Sequence, residues 1–339
     1  MREKWPDLLR GILILLLVLT HNLTGNAKIH YLYGPYYMSA FFFLSGYFFK
    51  GADMSPGDFV LKKMRGVVIP YLLVGGTCFW IGEAYREYVM GIHQWAHWEA
   101  FFREYILEGH YFWFVNCLIC LQLLQYITVK LCGARDGLLL GVSSLVSLFA
   151  LYYLTYVERI SLPWHSHVAC VMLWSINLGY VARKRNWISR LADWRVVLTS
   201  AALYLPVWAY AVFALHLPPV SDVWGAYYNA AVYVLLLHFG MVFSLAVAQK
   251  MKPVNFLLLL GRNTLCIYFI HYLFTWVMQN SVAQWYEEAC AMLDMPGLIC
   301  LRGVFVRIPA IVFGIAAGVA VSEGLRRYAP WVLGARKKA

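Results

Sequence analysis

Apolar residues fall in blocks along this chain, and short polar stretches close each block. Ten blocks stand out, at about 7–24, 36–50, 66–84, 110–130, 138–157, 164–182, 196–214, 227–249, 254–279 and 299–322. Backbone amides buried in lipid must be satisfied within the protein, so apolar blocks of this kind predict membrane helices. The expected fold class is all-α, a polytopic membrane helix bundle with about ten transmembrane helices. No internal repeat, low-complexity segment or soluble appendage interrupts the series, so residues 1–339 read as a single transmembrane domain.

The leading block carries the most chemistry. It opens with Pro6-Asp7-Leu8-Leu9-Arg10-Gly11 and closes with Thr20-His21-Asn22, and between Arg10 and His21 only Thr20 has a polar side chain. At about 100° per residue, eleven positions make three turns plus roughly 20°, so Arg10 and His21 share one face. At 1.5 Å per residue they lie about 16 Å apart along the axis. An ionisable group inside a bilayer is costly and by default marks a functional site. The bland alternative has Arg10 snorkelling to headgroups and His21 at the far interface. The spacing of three lets Asp7 pair with Arg10. The expectation is that Arg10 and His21 face one buried channel.

Composition narrows the class. Of 339 residues 62% are hydrophobic and 13% charged, with mean hydropathy +0.61. A soluble domain of this length is not so apolar. The net charge of +11 raises the question of nucleic acid. The positive residues, however, sit in short runs between apolar blocks, which is the pattern of cytoplasmic loops facing membrane lipid, so no nucleic-acid partner is expected. Of 28 Lys and Arg, only Lys28, Arg86, Arg103, Arg159, Arg302 and Arg307 fall on the side opposite the N-terminus. That bias puts both termini in the cytoplasm. The leading block carries Arg10 and lacks a following small-residue cleavage site, so it reads as a span and not as a cleaved signal.

Eight cysteines add little. Cys78, Cys117, Cys120, Cys170 and Cys266 lie in apolar blocks and read as small core residues. Cys290 and Cys300 share one expected outer loop and are candidates to bridge. No metal is expected: Cys117-x-x-Cys120 has no second pair, and His165, His167 and His216 lack a carboxylate at ligand spacing.

Other stretches offer candidates beside bland readings. Ser45-Gly46 lets another helix come close. Lys62, Lys63 and Arg65 can hold phosphate, or simply mark topology and touch anionic lipid. Arg183-Lys184-Arg185 reads as topology signal. The outer segment 85–109, with His93, Trp95, His97 and Trp98, is an interfacial belt or a sugar-stacking surface. His110, Trp113 and Asn116 open the fourth block near the outer surface, where His21 also lies, so the four are expected to meet. Pro70 is expected to kink its helix. Arg262 and His271 are nine residues apart, which on one unbroken helix puts them on opposite faces. Asn22-Leu23-Thr24 matches a glycosylation sequon, read as chance so close to a span, and Arg336-Lys337-Lys338 reads as a solvated or lipid-facing tail.

Taken together, these stretches resemble the acyltransferase 3 family of integral-membrane O-acyltransferases, which acylate extracytoplasmic glycans. The resemblance runs through Asp7-x-x-Arg10-Gly11 with His21, and Phe41-Phe42-Phe43-Leu44-Ser45-Gly46-Tyr47. It continues through Lys63-x-Arg65 with Pro70-Tyr71, His110 with Trp113-Phe114, and Asn263-Thr264-Leu265-x-Ile267-Tyr268-x-x-His271. It covers most of the chain in family order and is nearest to the shorter, fucose 4-O-acetylase-like members. There are two departures. Those members often have His-Met-Pro where this chain has Tyr37-Met38-Ser39, and Arg-x-x-Arg where it has Lys62-x-x-Arg65, which loses one planar fork.

The resemblance implies acyl-CoA as donor, acetyl-CoA or a related one, and His21 as the essential residue in a plasma (bacterial inner) membrane. On that reading Arg10, Lys62, Lys63 and Arg65 hold the donor's phosphates and Asp7 steadies Arg10. His21 acts as base on a hydroxyl of a glycan or lipid-linked sugar, or forms an acyl-histidine. Asn116 or Tyr268 stabilises the oxyanion, and His110, Trp113 and His271 join them around the substrate. A transporter or flippase for such a glycan competes, on the same buried charges, although the inverted repeats common in transporters are not seen. A non-catalytic membrane partner is the third class.

Overall fold

The computed structural model describes residues 3–22, 27–91, 97–293 and 295–334. Several positions singled out above lie outside the described residues: Leu23, Thr24, His93, Trp95, Arg336, Lys337 and Lys338, with the side chains of His97 and Cys300. The pairing of Cys290 with Cys300 lies outside them for the same reason.

The described residues form helices, and among them the only strand-like pairing is one bridge between Ser221 and Ala226. The main helices are α1 (Trp5–Asn22), α2 (Ala27–Tyr47), α3 (Pro56–Tyr88), α4 (Trp113–Cys132), α5 (Asp136–Tyr156) and α6 (Ser166–Lys184). They continue with α7 (Trp194–Ala214), α8 (Ala230–Lys250), α9 (Asn255–Arg262), α10 (Thr264–Met292) and α11 (Gly303–Tyr328). Each expected apolar block falls on one of these helices or on a consecutive pair. Among the described residues, six helices are long and apolar enough to cross a membrane, seven if α9 and α10 count as one broken span.

α1 is the centre of the bundle, touching α2, α8, α9, α10 and α11. Its apolar residues Leu8, Leu9, Leu13, Ile14, Leu17 and Val18 are buried, as expected of a helix that is apolar on most of its surface. α5, α7 and α11 lie outside and turn Leu145, Phe149, Leu198, Leu205, Val312 and Phe313 outward, an apolar exterior suited to lipid. On α3, Pro70 sits between two π-helical turns, Met64–Val68 and Tyr71–Gly75. Asn22 is fully buried, and its amide donates to the Val18 carbonyl at 2.9 Å and to Thr275 Oγ1 at 3.0 Å.

Two close crossings depend on absent side chains. A Cβ on Gly46 of α2 would overlap the Ile176 carbonyl of α6, and one on Gly179 of α6 would overlap that of Phe43. Gly46 therefore admits the close neighbour its sequence suggests. In the same way a Cβ on Gly11 of α1 would overlap the Leu257 carbonyl, and one on Gly261 of α9 that of Asp7.

α9 and α10 meet at an 88° bend. Asn263 leaves the helical region there, with φ −107 and ψ 12. Its side-chain amide donates to the Leu259 carbonyl at 2.9 Å, the Thr264 hydroxyl donates to the Gly261 carbonyl at 2.9 Å, and Arg326 donates to the Arg262 carbonyl. These donors satisfy carbonyls that a helix end leaves open. The bend overturns the opposite-face expectation for Arg262 and His271, which assumes one straight helix. Gly46→Ala is expected to cost about 1–3 kcal/mol through overpacking, read as a lower thermal midpoint of the purified protein. A midpoint equal to wild type would contradict the crossing.

Candidate functional site

α1 presents His21 in its last turn, and α10 places His271 against it. The two rings lie 5.1 Å apart between centroids. His271 Nδ1 is 2.9 Å from the Ile267 carbonyl oxygen and its Nε2 is 3.3 Å from His21 Nδ1. A carbonyl only accepts, so His271 Nδ1 carries the hydrogen and the neutral ring offers a lone pair at Nε2. His21 Nδ1, also 3.0 Å from the Leu17 carbonyl oxygen, must then be the donor to both. The lone pair of His21 is left on Nε2.

Both rings line a cavity of about 490 Å³, a size suited to a small ligand. His110, Trp113 and Tyr268 line the same cavity, so five of the residues singled out from sequence meet there. Tyr37 and Met38 line it as well, whereas Ser39 packs away from it with its hydroxyl on Met172 Sδ at 3.3 Å.

Asn116 does not line this cavity. Its amide donates to Tyr71 Oη at 3.1 Å and to the Gly109 carbonyl at 3.0 Å. Gly109 has φ +73, a left-handed turn that favours glycine. Asn116 thus pins the turn that delivers His110, Tyr111, Phe112 and Trp113 to the cavity. A buried amide near the start of its block has the look of an available oxyanion donor, but the Gly109 turn takes it.

The other end of α1 is built on charge. Asp7, buried, sits 3.1 Å from Arg10 Nη1 and 3.8 Å from Arg262 Nε. A second cavity of about 420 Å³ is lined by Glu3, Pro6, Asp7, Arg10, Phe48 and Arg183. The Phe48 ring lies 4.9 Å from the Arg10 guanidinium and 5.7 Å from that of Arg183, a shared cation–π support. Lys62, Lys63 and Arg65 are on α3 and do not line this cavity; Lys63 lies over the Phe59 ring at 5.1 Å. Arg183 does line it, although its run of cations reads in sequence as topology signal.

Arg10 and His21 open into different cavities, and the two share no lining residue. Leu13 and Ile14, fully packed, lie between them on α1. The single buried channel expected from their shared face is thus replaced, among the described residues, by two separate cavities with packed side chains between them.

Sequence reasoning also misses Asp222, which lines the His21 cavity. Its one local signal is an acid beside Trp224 in a Pro- and Gly-bounded loop, Pro218-Pro219-Val220-Ser221-Asp222-Val223-Trp224-Gly225.

Among known proteins, a family model described as an acyltransferase domain matches residues 3–325. No curated protein and no solved structure matches the chain. Asn116→Ala removes buried hydrogen bonds and is expected to lower the thermal midpoint, at about 1–3 kcal/mol. A variant that melts like wild type yet loses activity would return the amide to the chemistry.

Proposed function

The chain belongs to the acyltransferase 3 family, and from that premise we propose that it moves an acyl group from cytoplasmic acyl-CoA, acetyl-CoA or a related one, to a hydroxyl of an extracytoplasmic glycan or lipid-linked sugar. The observation that carries this reading is the His21–His271 pair in the wall of the larger cavity. His21 Nε2 takes the proton of the acceptor hydroxyl as general base. The hydroxyl oxygen attacks the thioester carbonyl, the new C–O bond forms and the C–S bond breaks. The leaving thiolate takes the proton back from His21, so ester and free thiol are the products. His271 receives the Nδ1–H of His21, which keeps the base in its productive tautomer. Tyr268, in the same wall, is the assigned hydroxyl donor to the oxyanion.

The donor's phosphates are assigned to Arg10 and Arg183, which share the smaller cavity, and not to Lys62, Lys63 and Arg65 outside it. Asp7 holds Arg10 in place. The acyl arm has about 16 Å to cover along α1, so the packed Leu13 and Ile14 layer must part for it, a gating step. Transport has no comparable anchor in the family match.

The test uses vesicles with labelled acetyl-CoA on the Arg10 side and candidate glycans on the other. His21→Ala is expected to lower transfer by at least about 10²-fold, the usual scale for a lost general base, and His271→Ala to lower kcat more than it raises KM. Full transfer by His21→Ala would refute the assignment. Arg10→Ala should raise the KM for acyl-CoA about tenfold or more, the scale of a charge-assisted hydrogen bond, and leave the acceptor KM alone. Equal acyl-CoA binding after that change would remove the phosphate role.

A further inference from the structure

Asp222 lies in the connection between α7 and α8. Ser221 and Ala226 exchange backbone hydrogen bonds at 3.1 and 3.0 Å, and Gly225 turns with φ +58 between them. This pinched loop sets Asp222 in the wall of the His21 cavity, buried. Tyr233 Oη donates to Asp222 Oδ1 at 3.2 Å. The groups that feel the charge of this carboxyl are Tyr37 from α2, Cys117 from α4, Tyr227 from its own loop and Tyr233 from α8. These are phenols and a thiol, uncharged at neutral pH; no cation is among them. Among the described residues one side chain donates to this buried carboxyl, which leaves it acceptor capacity for a ligand in the cavity. Around it, Tyr111, Trp113, Trp224 and Tyr272 line the same cavity with aromatic rings. Aromatic faces take the apolar face of a sugar ring, and a carboxylate takes its hydroxyl hydrogens.

We propose that Asp222 selects the acceptor, receiving hydrogen bonds from hydroxyls adjacent to the one that is acylated, so that the preferred acceptor is a vicinal diol of a sugar ring and not an isolated alcohol. The assignment rests on the acyl-transfer reading for the identity of the acceptor. Burial pushes the Asp222 carboxyl up to about 7. Its ionised form, the better acceptor, is therefore populated as pH rises through that value, and sugar affinity should rise with it. His21, His30, His110 and His271 line the same cavity, and His165 and His167 pack beside the Asp222 loop, so the contribution of Asp222 to any pH dependence is the part that Asp222→Asn removes.

The experiment measures binding of methyl fucoside, methyl galactoside and cyclohexanol to the purified full chain by saturation-transfer NMR, beside transfer from acetyl-CoA. Wild type should prefer the glycosides. Asp222→Asn, close in shape, should weaken them about tenfold, the difference between a charged and a neutral acceptor, and should flatten the rise with pH while the acetyl-CoA KM stays unchanged. Should Asp222→Asn fold poorly, deoxy analogues of methyl fucoside carry the test on wild type, since loss of the neighbouring hydroxyl should weaken binding by a similar factor. Equal binding of cyclohexanol or of every deoxy analogue, or wild-type glycoside affinity in Asp222→Asn, overturns the proposal. Glycoside binding that depends on Asp222 without any transfer supports the binding role and refutes acyl transfer.

Discussion

An 88° bend at Asn263 allows one stretch of chain to hold both ends of α1. α9 brings Arg262 to Asp7 and α10 brings His271 to His21. A straight helix of the same residues could do only one of these. A break inside an apolar bundle leaves carbonyls without partners, and each such group is costly away from water. Asn263, Thr264 and Arg326 supply the missing donors from side chains. Gly261, with Gly11 opposite, lets α9 lie against α1 closely enough for the ion pair to form.

The two ends of α1 treat charge in opposite ways. At one end a buried carboxylate is flanked by two guanidiniums, with a third cation, Arg183, facing the same cavity. At the other, two imidazoles hydrogen-bond to each other, and the buried carboxyl in the same wall accepts from a phenol, Tyr233. The first suits an anionic group such as phosphate. The second, with aromatic rings, imidazoles and the Asp222 carboxyl in its wall, fits the neutral, hydroxylated acceptor proposed above. This asymmetry is what the proposed transfer from a charged donor to a neutral acceptor would use.

Local periodicity sets what is legible in the sequence. Helix positions follow from apolar blocks, the Asp7–Arg10 pair from a spacing of three, and the common face of Arg10 and His21 from eleven positions on one unbroken helix. Legibility ends where distant segments decide. His271 cannot be matched to His21 without knowing that α10 starts afresh after Asn263. Asn116 looks free because the Gly109 turn that binds it leaves no mark in hydropathy. Arg183 carries the same charge as its topological neighbours, and only the packing of α6 against α2 brings it to the Arg10 cavity.

The closed layer at Leu13 and Ile14 bears on how chemistry across a membrane avoids a leak. A permanent polar channel from Arg10 to His21 would admit ions and water along α1. An apolar layer excludes them, because a charge placed among such side chains loses its hydration without recompense. An acyl thioester arm is different: its acyl group and much of its length are weakly polar, and it can replace the contacts of the side chains it displaces. On the proposed reading the layer discriminates by polarity: it would pass the acyl group while the charged phosphates stay with Arg10 and Arg183. Under that proposal the distance between the two cavities would serve the mechanism, since it would keep the donor's charge away from a base that gains and then loses a proton.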